Sequence, residues 1–192
     1  MSTRKRAARE SDCTAPTRPE RRRFLRATGL ALAAAALPWS SLRARADEAK
    51  PLPDEVLALL GKSGLVYVSP LRSDGSESTC HGEVWYGWLD GAVVVITGRE
   101  RWKSRALGRG LDRARIWVGD HGPWKQMIGR SEAFRKAPSF DAQVARSQDA
   151  ELLDRLMKLY WEKYPEEFGK WEQKMRAGFA SGDRVLLRYA PS

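Results

Sequence analysis

Cysteine and histidine are scarce in this chain. Its 192 residues include two cysteines, Cys13 and Cys80, and two histidines, His81 and His121. A structural zinc site needs four Cys or His ligands at short spacings, and the sequence has no such cluster. Cys80 and His81 are adjacent, so in a strand their side chains would point to opposite faces and could not form a nucleophile–base pair. The sequence therefore predicts no metal site, gives little support to hydrolytic catalysis and identifies no catalytic residue.

A hydrophobic run long enough to span a membrane is also lacking. The apolar segment at residues 27–37 is shorter than the roughly 20 residues that a transmembrane helix needs. It follows an arginine cluster at residues 20–26 and precedes Ala44-Arg45-Ala46, a pattern typical of signal-peptidase cleavage. An arginine cluster can also be a nucleic-acid arm, and an Ala-rich run can be a buried helix. The three features in this order favour a twin-arginine signal over residues 1–46.

This interpretation sets the expected location. We expect the chain to use the twin-arginine export machinery, to reach the periplasm or the extracellular space, and to keep no stable membrane anchor. The domain that remains would be residues 47–192, which suits one core. Cys80 would then be its one cysteine, so no disulfide within it is expected.

Excess charge in that domain is small. The whole chain has a formal net charge of +10, but residues 1–46 carry 11 Lys and Arg against 3 Asp and Glu. Most of the positive charge therefore belongs to the predicted export signal. It is no evidence for nucleic-acid binding, and we expect none.

Strands dominate the pattern of the remaining chain. Runs of β-branched and aromatic residues predict strands at residues 65–69, 84–88, 92–96, 113–118, 124–128 and 183–189. Asp90-Gly91 predicts a two-residue hairpin turn. Helices are predicted at residues 53–61, at 101–108 after a Thr97–Glu100 capping box, at 149–164, and again after Pro165. Residues 129–144 read as irregular. The expected fold class is mainly β with flanking helices: a six-stranded antiparallel sheet closed into a small split barrel, because closure removes exposed edges.

The segment most informative about function is residues 96–105. It follows a buried strand, opens a helix, and contains a hydroxyl, a glycine and four cations. A helix amino terminus offers free amides to a phosphate, and Arg and Lys add charge-assisted hydrogen bonds to the same anion. A solvated basic helix face is the other interpretation, and composition alone does not decide between the two.

The order of the motifs resembles the pyridoxamine 5′-phosphate oxidase-like family. The matching motifs are residues 64–69, Ser73-Asp74-Gly75, Val84-Trp85-Tyr86, Asp90-Gly91, residues 94–97, residues 101–107, residues 114–118 and the closing strand at 185–189. Members of this family are FMN-binding split β-barrels, and their relatives include reductases that use a deazaflavin. The likeness covers roughly residues 54–190.

The resemblance implies a set of cofactor-binding residues. They are Trp85, Thr97, Gly98, Arg99, Arg101, Trp102 and Lys103. Lys103 matches the family's phosphate-binding lysine, and Arg101 lies where a second cation is often found. Thr97 matches the hydroxyl residue that ends the strand, and Trp85 resembles a position that lines the isoalloxazine ring. The family forms homodimers with flavin sites at the interface, so Trp117 and Trp124 could reach the partner's cofactor.

The implied function is an exported FMN-binding oxidoreductase that acts on a small-molecule redox substrate. The residues with which the true oxidase grips its substrate have no match here, so the substrate does not transfer with the fold. Two alternatives stay open: a reductase that uses deazaflavin F420, and a non-enzymatic flavin or haem carrier. In a haem carrier, His81 or His121 would be the axial-ligand candidates.

Overall fold

The computed structural model describes residues 51–119 and 133–192. The predicted export signal, the strand predicted at 124–128, His121 and Trp124 lie outside these ranges. Those interpretations stay predictions.

In the two described ranges, seven strands form one sheet. They are β1 (Val66–Pro70), β2 (Gly82–Val84), β3 (Gly87–Leu89), β4 (Ala92–Gly98), β5 (Arg113–Val118), β6 (Ser139–Ser147) and β7 (Arg184–Pro191). Their order in the sheet is β2-β1-β5-β6-β7-β4-β3, and every neighbouring pair is antiparallel. The expected fold class, mainly β and antiparallel, is confirmed, with seven strands in place of six.

The two edge strands are neighbours in the chain. β2 pairs with β1 and β3 pairs with β4, at opposite edges of the sheet, yet only Trp85 and Tyr86 separate them. Two intervening residues let the chain advance by roughly 10 Å. The sheet therefore curves until its edges lie on either side of this link. The single strand predicted at 84–88 is wrong for this reason, because its two halves belong to opposite edges.

Alternate residues of the curved sheet fill its interior. The cross-strand pairs Val68–Ile116 and Ile116–Phe140 place apolar side chains side by side, and Val95 faces Leu187. All of these side chains are buried. Helix α1 (Asp54–Lys62), predicted at 53–61, adds two buried residues to the same core. The period of two along the strands is what places one side of each strand in the core.

Strand β6 falls where the sequence looked irregular. Its inward residues Phe140, Ala142 and Val144 are buried, and they alternate with polar or charged residues such as Asp141. A 3-10 turn, Ala133–Lys136, precedes it. The prediction of irregular structure at 129–144 is therefore wrong for the residues that the structure describes. The alternation is present, but it is carried by only three apolar side chains.

A helical insertion between β6 and β7 covers the outer face of the sheet. It consists of α3 (Ala150–Lys163), α4 (Pro165–Phe168) and α5 (Glu172–Ala180). The predicted helix at 149–164 is confirmed, and Asp149 caps it by accepting hydrogen bonds from the amides of Glu151 and Leu152. The single helix predicted after Pro165 is instead two short ones. In the described part of the chain, every helix is too short or too polar to cross a membrane.

The helix after β4 starts without the predicted cap. Helix α2 spans Trp102–Gly108, close to the predicted bounds, and Arg101 precedes it without a capping side-chain hydrogen bond. Thr97 lies within β4, opposite Val185 of β7. The capping-box interpretation is wrong because pairing with β7 extends β4 through Gly98. The hairpin turn before β4 is confirmed, since Asp90 and Gly91 both have positive φ angles, 49° and 67°.

Candidate functional site

A groove of about 920 Å³ lies on the outer side of the sheet, between the end of β4, the start of α2 and helix α5. A second cavity of about 500 Å³ adjoins it and shares Gly98, Arg101 and Asp183. Cofactor and small-molecule sites commonly have volumes of roughly 300–1,000 Å³. The groove is therefore large enough to hold a ligand of cofactor size.

The structure brings the predicted cofactor residues together. Trp85, Thr97, Gly98, Arg101, Trp102 and Lys103 all line the groove, and Arg99 lines the adjoining cavity. These residues come from β4, from the turn that follows it, from α2 and from the link between β2 and β3. Their binding of a cofactor stays a prediction, but they share one surface.

Pairing between β4 and β7 positions the floor of this groove. It places Gly98 directly opposite Arg184. The amide of Arg99 donates to the carbonyl of Asp183 at 2.8 Å, and Arg99 Nε donates to the carbonyl of Gly182 at 2.6 Å. A Cβ at Gly98 would lie 3.1 Å from Arg101 Cγ, so glycine allows that arginine to pass close to the backbone. The turn after β4 and the turn before β7 are thus tied together beneath the groove.

Positive charge predominates around the groove. Its lining includes four cations and one carboxylate: Arg101, Lys103, Lys174, Arg184 and Asp183. Asp183 Oδ2 accepts a hydrogen bond from the Ser181 hydroxyl at 2.8 Å. A concave surface with this balance attracts anions. Sequence reasoning missed Lys174 and Arg184, which lie about seventy and eighty residues beyond the basic segment.

The groove arginines differ from those elsewhere on the surface. Among the residues that the structure describes, arginines form ion pairs at five positions: Arg113, Arg115, Arg135, Arg155 and Arg176. None of these five lines the groove. Within residues 51–119 and 133–192, Arg101 and Arg184 form no ion pair and no side-chain hydrogen bond. Their charges are therefore available to a ligand.

Aromatic rings supply a flat wall beside these charges. The Trp85 ring stacks on Tyr164, with centroids 4.5 Å apart and planes 9° apart, and meets Tyr160 edge-on at 6.0 Å. The Tyr160 hydroxyl donates to the Trp85 carbonyl at 2.9 Å, which holds the link in place. Trp102 lies against Gly82, and the Lys103 ammonium is 4.4 Å from the Trp102 ring centroid. Flat apolar surface and cations therefore occur side by side.

The tyrosines behind the groove stay neutral. Burial raises the pKa of Tyr160 well above its ordinary value, and it raises the pKa of Tyr164 to about 12. Neither hydroxyl can serve as a base near neutral pH. In the two described ranges, no group of three or more His, Cys, Asp or Glu could hold a metal ion. The arrangement is suited to binding anions and flat rings.

Two other residues named from the sequence lie away from the groove. The ring of His81 lies 5.0 Å from Phe134, and Trp117 meets the same Phe134 edge-on at 6.0 Å. Neither residue lines the groove, so His81 is not placed to bind a haem there. Cys80 is the one cysteine of residues 47–192, and the expectation that this domain has no internal disulfide stays a prediction. The other cysteine of the sequence, Cys13, precedes the predicted cleavage site and lies outside the described residues.

Comparison with known proteins bears on the fold. No family model and no curated protein matches the chain. A conserved hypothetical protein from Mycobacterium tuberculosis matches in structure with a TM-score of 0.50 at 20% identity, over 73% of this chain and 81% of that one. The chain has the split β-barrel fold.

Other solved structures match the split barrel less closely. The haem storage protein HutZ from Vibrio cholerae has a TM-score of 0.48 at 17% identity, over 73% of this chain and 90% of that one. A candidate pyridoxamine 5′-phosphate oxidase from Listeria innocua has a TM-score of 0.46 at 12% identity, over 72% and 92%. Identities this low bear on the fold alone, so activity must be argued from the groove.

Proposed function

We propose that this split barrel is an exported FMN-binding oxidoreductase of the pyridoxamine 5′-phosphate oxidase-like family. The observation that carries the proposal is the groove, where the cations Arg101 and Lys103 adjoin the rings of Trp85 and Trp102. FMN combines a flat ring system with a phosphate, which is the same combination of features. The resemblance of the sequence motifs to that family supports the choice.

The residues present fit such a cofactor. Arg101 and Lys103 would bind the phosphate by charge-assisted hydrogen bonds, and Trp85 would contact the ring. The stacking of Trp85 on Tyr164 and the hydrogen bond from the Tyr160 hydroxyl to the Trp85 carbonyl position that contact surface. A bound flavin would supply the redox chemistry, while the chain binds, orients and shields it.

Partners and location belong to the same proposal. The twin-arginine route carries folded proteins, and FMN is made in the cytoplasm, so a chain that binds FMN would have reason to fold before export. We propose a homodimer, as in the family that the sequence resembles, acting on a small-molecule redox substrate. Deazaflavin F420 also joins a flat ring to a phosphate, so it is the alternative that this groove accommodates.

One spectrum tests the choice of cofactor. The native protein should show flavin absorbance at about one cofactor per chain, and mass analysis of the released chromophore should identify FMN. Release of F420 would assign the deazaflavin alternative, and a Soret band would assign haem. A colourless protein that takes up neither FMN nor F420 would refute the proposal.

A double variant tests the phosphate site. Arg101→Ala with Lys103→Ala should weaken FMN binding, because each charge-assisted hydrogen bond contributes about 1.5–3 kcal/mol and Arg101 is exposed enough to reduce that value. We expect a loss of about 2–4 kcal/mol, or roughly 30- to 1,000-fold in Kd by fluorescence titration. Lys62→Ala with Arg109→Ala removes the same charge outside the groove and serves as control. Equal affinity in the two double variants would mean that the phosphate is held elsewhere.

A further inference from the structure

One face of helix α5 lines the groove. Lys174, Ala177 and Gly178 lie at positions i, i+3 and i+4, and Ser181 follows at the end of the helix. A helix face with this spacing is usually apolar when it packs against a core. Here it consists of one cation and three small residues beside open space. The small side chains leave room for a ligand, and the cation gives that space a charge.

Arg184 joins Lys174 on this side of the groove. A Cβ at Gly178 would lie 2.9 Å from both Cγ and Cδ of Arg184, so the arginine stem lies directly against the helix at that glycine. Arg184 is half-buried. Within residues 51–119 and 133–192 it has no ion-pair partner. A half-buried guanidinium that borders a cavity without a counter-ion indicates a place for an anion.

The groove has more positive charge than one phosphate needs for neutralisation. A phosphate monoester carries a charge of about −1.5 to −2 near neutral pH, so two cations are enough to neutralise it. Arg101 and Lys103, on the α2 side of the groove, would meet that need. Lys174 and Arg184 lie on the α5 and β7 side. Asp183, the carboxylate that the described residues contribute to the groove, is hydrogen-bonded to Ser181. Two cations therefore remain after one phosphate is bound.

We infer that Lys174 and Arg184 form a second anion subsite, which binds a phosphate or carboxylate group separate from the cofactor phosphate. The inference rests on the proposed function, because it assigns the first pair of cations to the cofactor. The second anionic group belongs either to the substrate or to a dinucleotide cofactor with a further phosphate, such as FAD. Either source would place a negatively charged group between the same two cations.

The test compares paired variants of the full chain. Lys174→Gln with Arg184→Gln removes the second subsite and keeps polar side chains of similar length. Lys170→Gln with Arg188→Gln makes the same charge change outside the groove, in the turn before α5 and on the same strand as Arg184. Calorimetry measures binding of FMN to each protein, and then binding of inorganic pyrophosphate to each FMN-loaded protein.

We expect the subsite variant to bind pyrophosphate about tenfold more weakly than the control pair, with FMN affinity changed less than about twofold. Equal pyrophosphate affinity in the two pairs would overturn the inference. A loss of FMN affinity as large as that of Arg101→Gln with Lys103→Gln would also overturn it, because all four cations would then hold one phosphate.

Comparing the binding of FAD with that of FMN shows whether the second anion belongs to the cofactor or to the substrate. Tighter binding of FAD than of FMN, with the difference lost in the subsite variant, assigns the anion to a dinucleotide. Equal binding of FAD and FMN, with pyrophosphate still bound beside FMN, assigns it to the substrate.

Failure of the proposed function remains distinguishable from failure of this inference. If no protein binds FMN, pyrophosphate is titrated into the Arg101→Gln, Lys103→Gln variant, where only the second pair of cations remains.

Gly178→Ala provides an independent test, because its new methyl group displaces Arg184 without changing any charge. Alanine favours helix over glycine by about 1 kcal/mol, so the variant should fold while pyrophosphate affinity falls. Wild-type affinity in a folded Gly178→Ala protein would contradict the role of Arg184.

Discussion

Tyr164 connects the residues just before β1 with the link between β2 and β3. Its hydroxyl donates to the carbonyl of Gly64, just before β1, at 2.6 Å. The same oxygen accepts from the amide of Tyr86, in the link between β2 and β3, at 3.2 Å. Tyr164→Phe removes both hydrogen bonds and keeps the ring that stacks on Trp85. The variant therefore isolates the contribution of the hydroxyl.

The expected loss follows from the groups left behind. One carbonyl and one amide lose their partner in a region that is half-buried or buried. A hydrogen bond contributes about 1 kcal/mol net, and an abandoned buried partner costs about 1–3 kcal/mol. Because Tyr164 is half-buried, water can reach part of the site. We therefore expect a loss of about 2–3 kcal/mol in the free energy of unfolding, or roughly 6–10 °C in Tm.

Urea denaturation of Tyr164→Phe and Tyr189→Phe measures this loss. Tyr189 is 2% exposed, and within residues 51–119 and 133–192 its hydroxyl has no hydrogen-bond partner. Its phenylalanine variant should therefore change stability by less than about 0.5 kcal/mol. Equal stability of the two variants would refute the reasoning, because the bridging hydrogen bonds would then contribute nothing.

Two further predictions concern stability. Gly87→Ala should destabilise the fold by about 1–3 kcal/mol, because its Cβ would lie 2.7 Å from Leu156 Cδ1 and 2.8 Å from Leu159 Cδ2. If urea denaturation shows that the free energy of unfolding falls by less than about 0.5 kcal/mol, these leucines move aside and the prediction is wrong. The ammonium of Lys163 lies 3.7 Å from the Tyr86 ring centroid, and burial lowers its pKa from 10.5 to about 8. Between pH 8 and 10.5 the unfolded chain therefore holds more protons at this residue, so the free energy of unfolding should rise with pH by about 1–2 kcal/mol after allowance for solvent exposure. Denaturation of Lys163→Met over that range should lack this rise, and an unchanged pH profile would contradict the shift.

Local signals in the sequence located much of the fold. Strand β5 was predicted with its observed bounds, and Asp90-Gly91 was predicted as a hairpin turn because both residues tolerate positive φ. Local signals could not predict the division between β2 and β3. Trp85 and Tyr86 suit a strand on propensity, and only closure of the barrel makes them a link between opposite edges.

The sequence predicted only one of the two pairs of cations in the candidate site. Arg101 and Lys103 lie next to β4 in one basic segment, so a local motif found them. Lys174 and Arg184 come from an insertion and from β7, and only the pairing of β4 with β7, with α5 packed beside β7, brings them to the same groove. The order of residues along one chain gives no direct measure of that pairing.

The position of β7 in the sheet determines when the barrel can fold during synthesis. Among the described strands β7 comes last in the chain, yet it lies inside the sheet, between β6 and β4. Until a ribosome has made and released this segment, β4 and β6 each expose an unpaired edge. A nascent chain is therefore open to aggregation up to that moment. Because Arg184 belongs to β7, the barrel and the complete groove form in the same event, and a prematurely terminated chain would have neither.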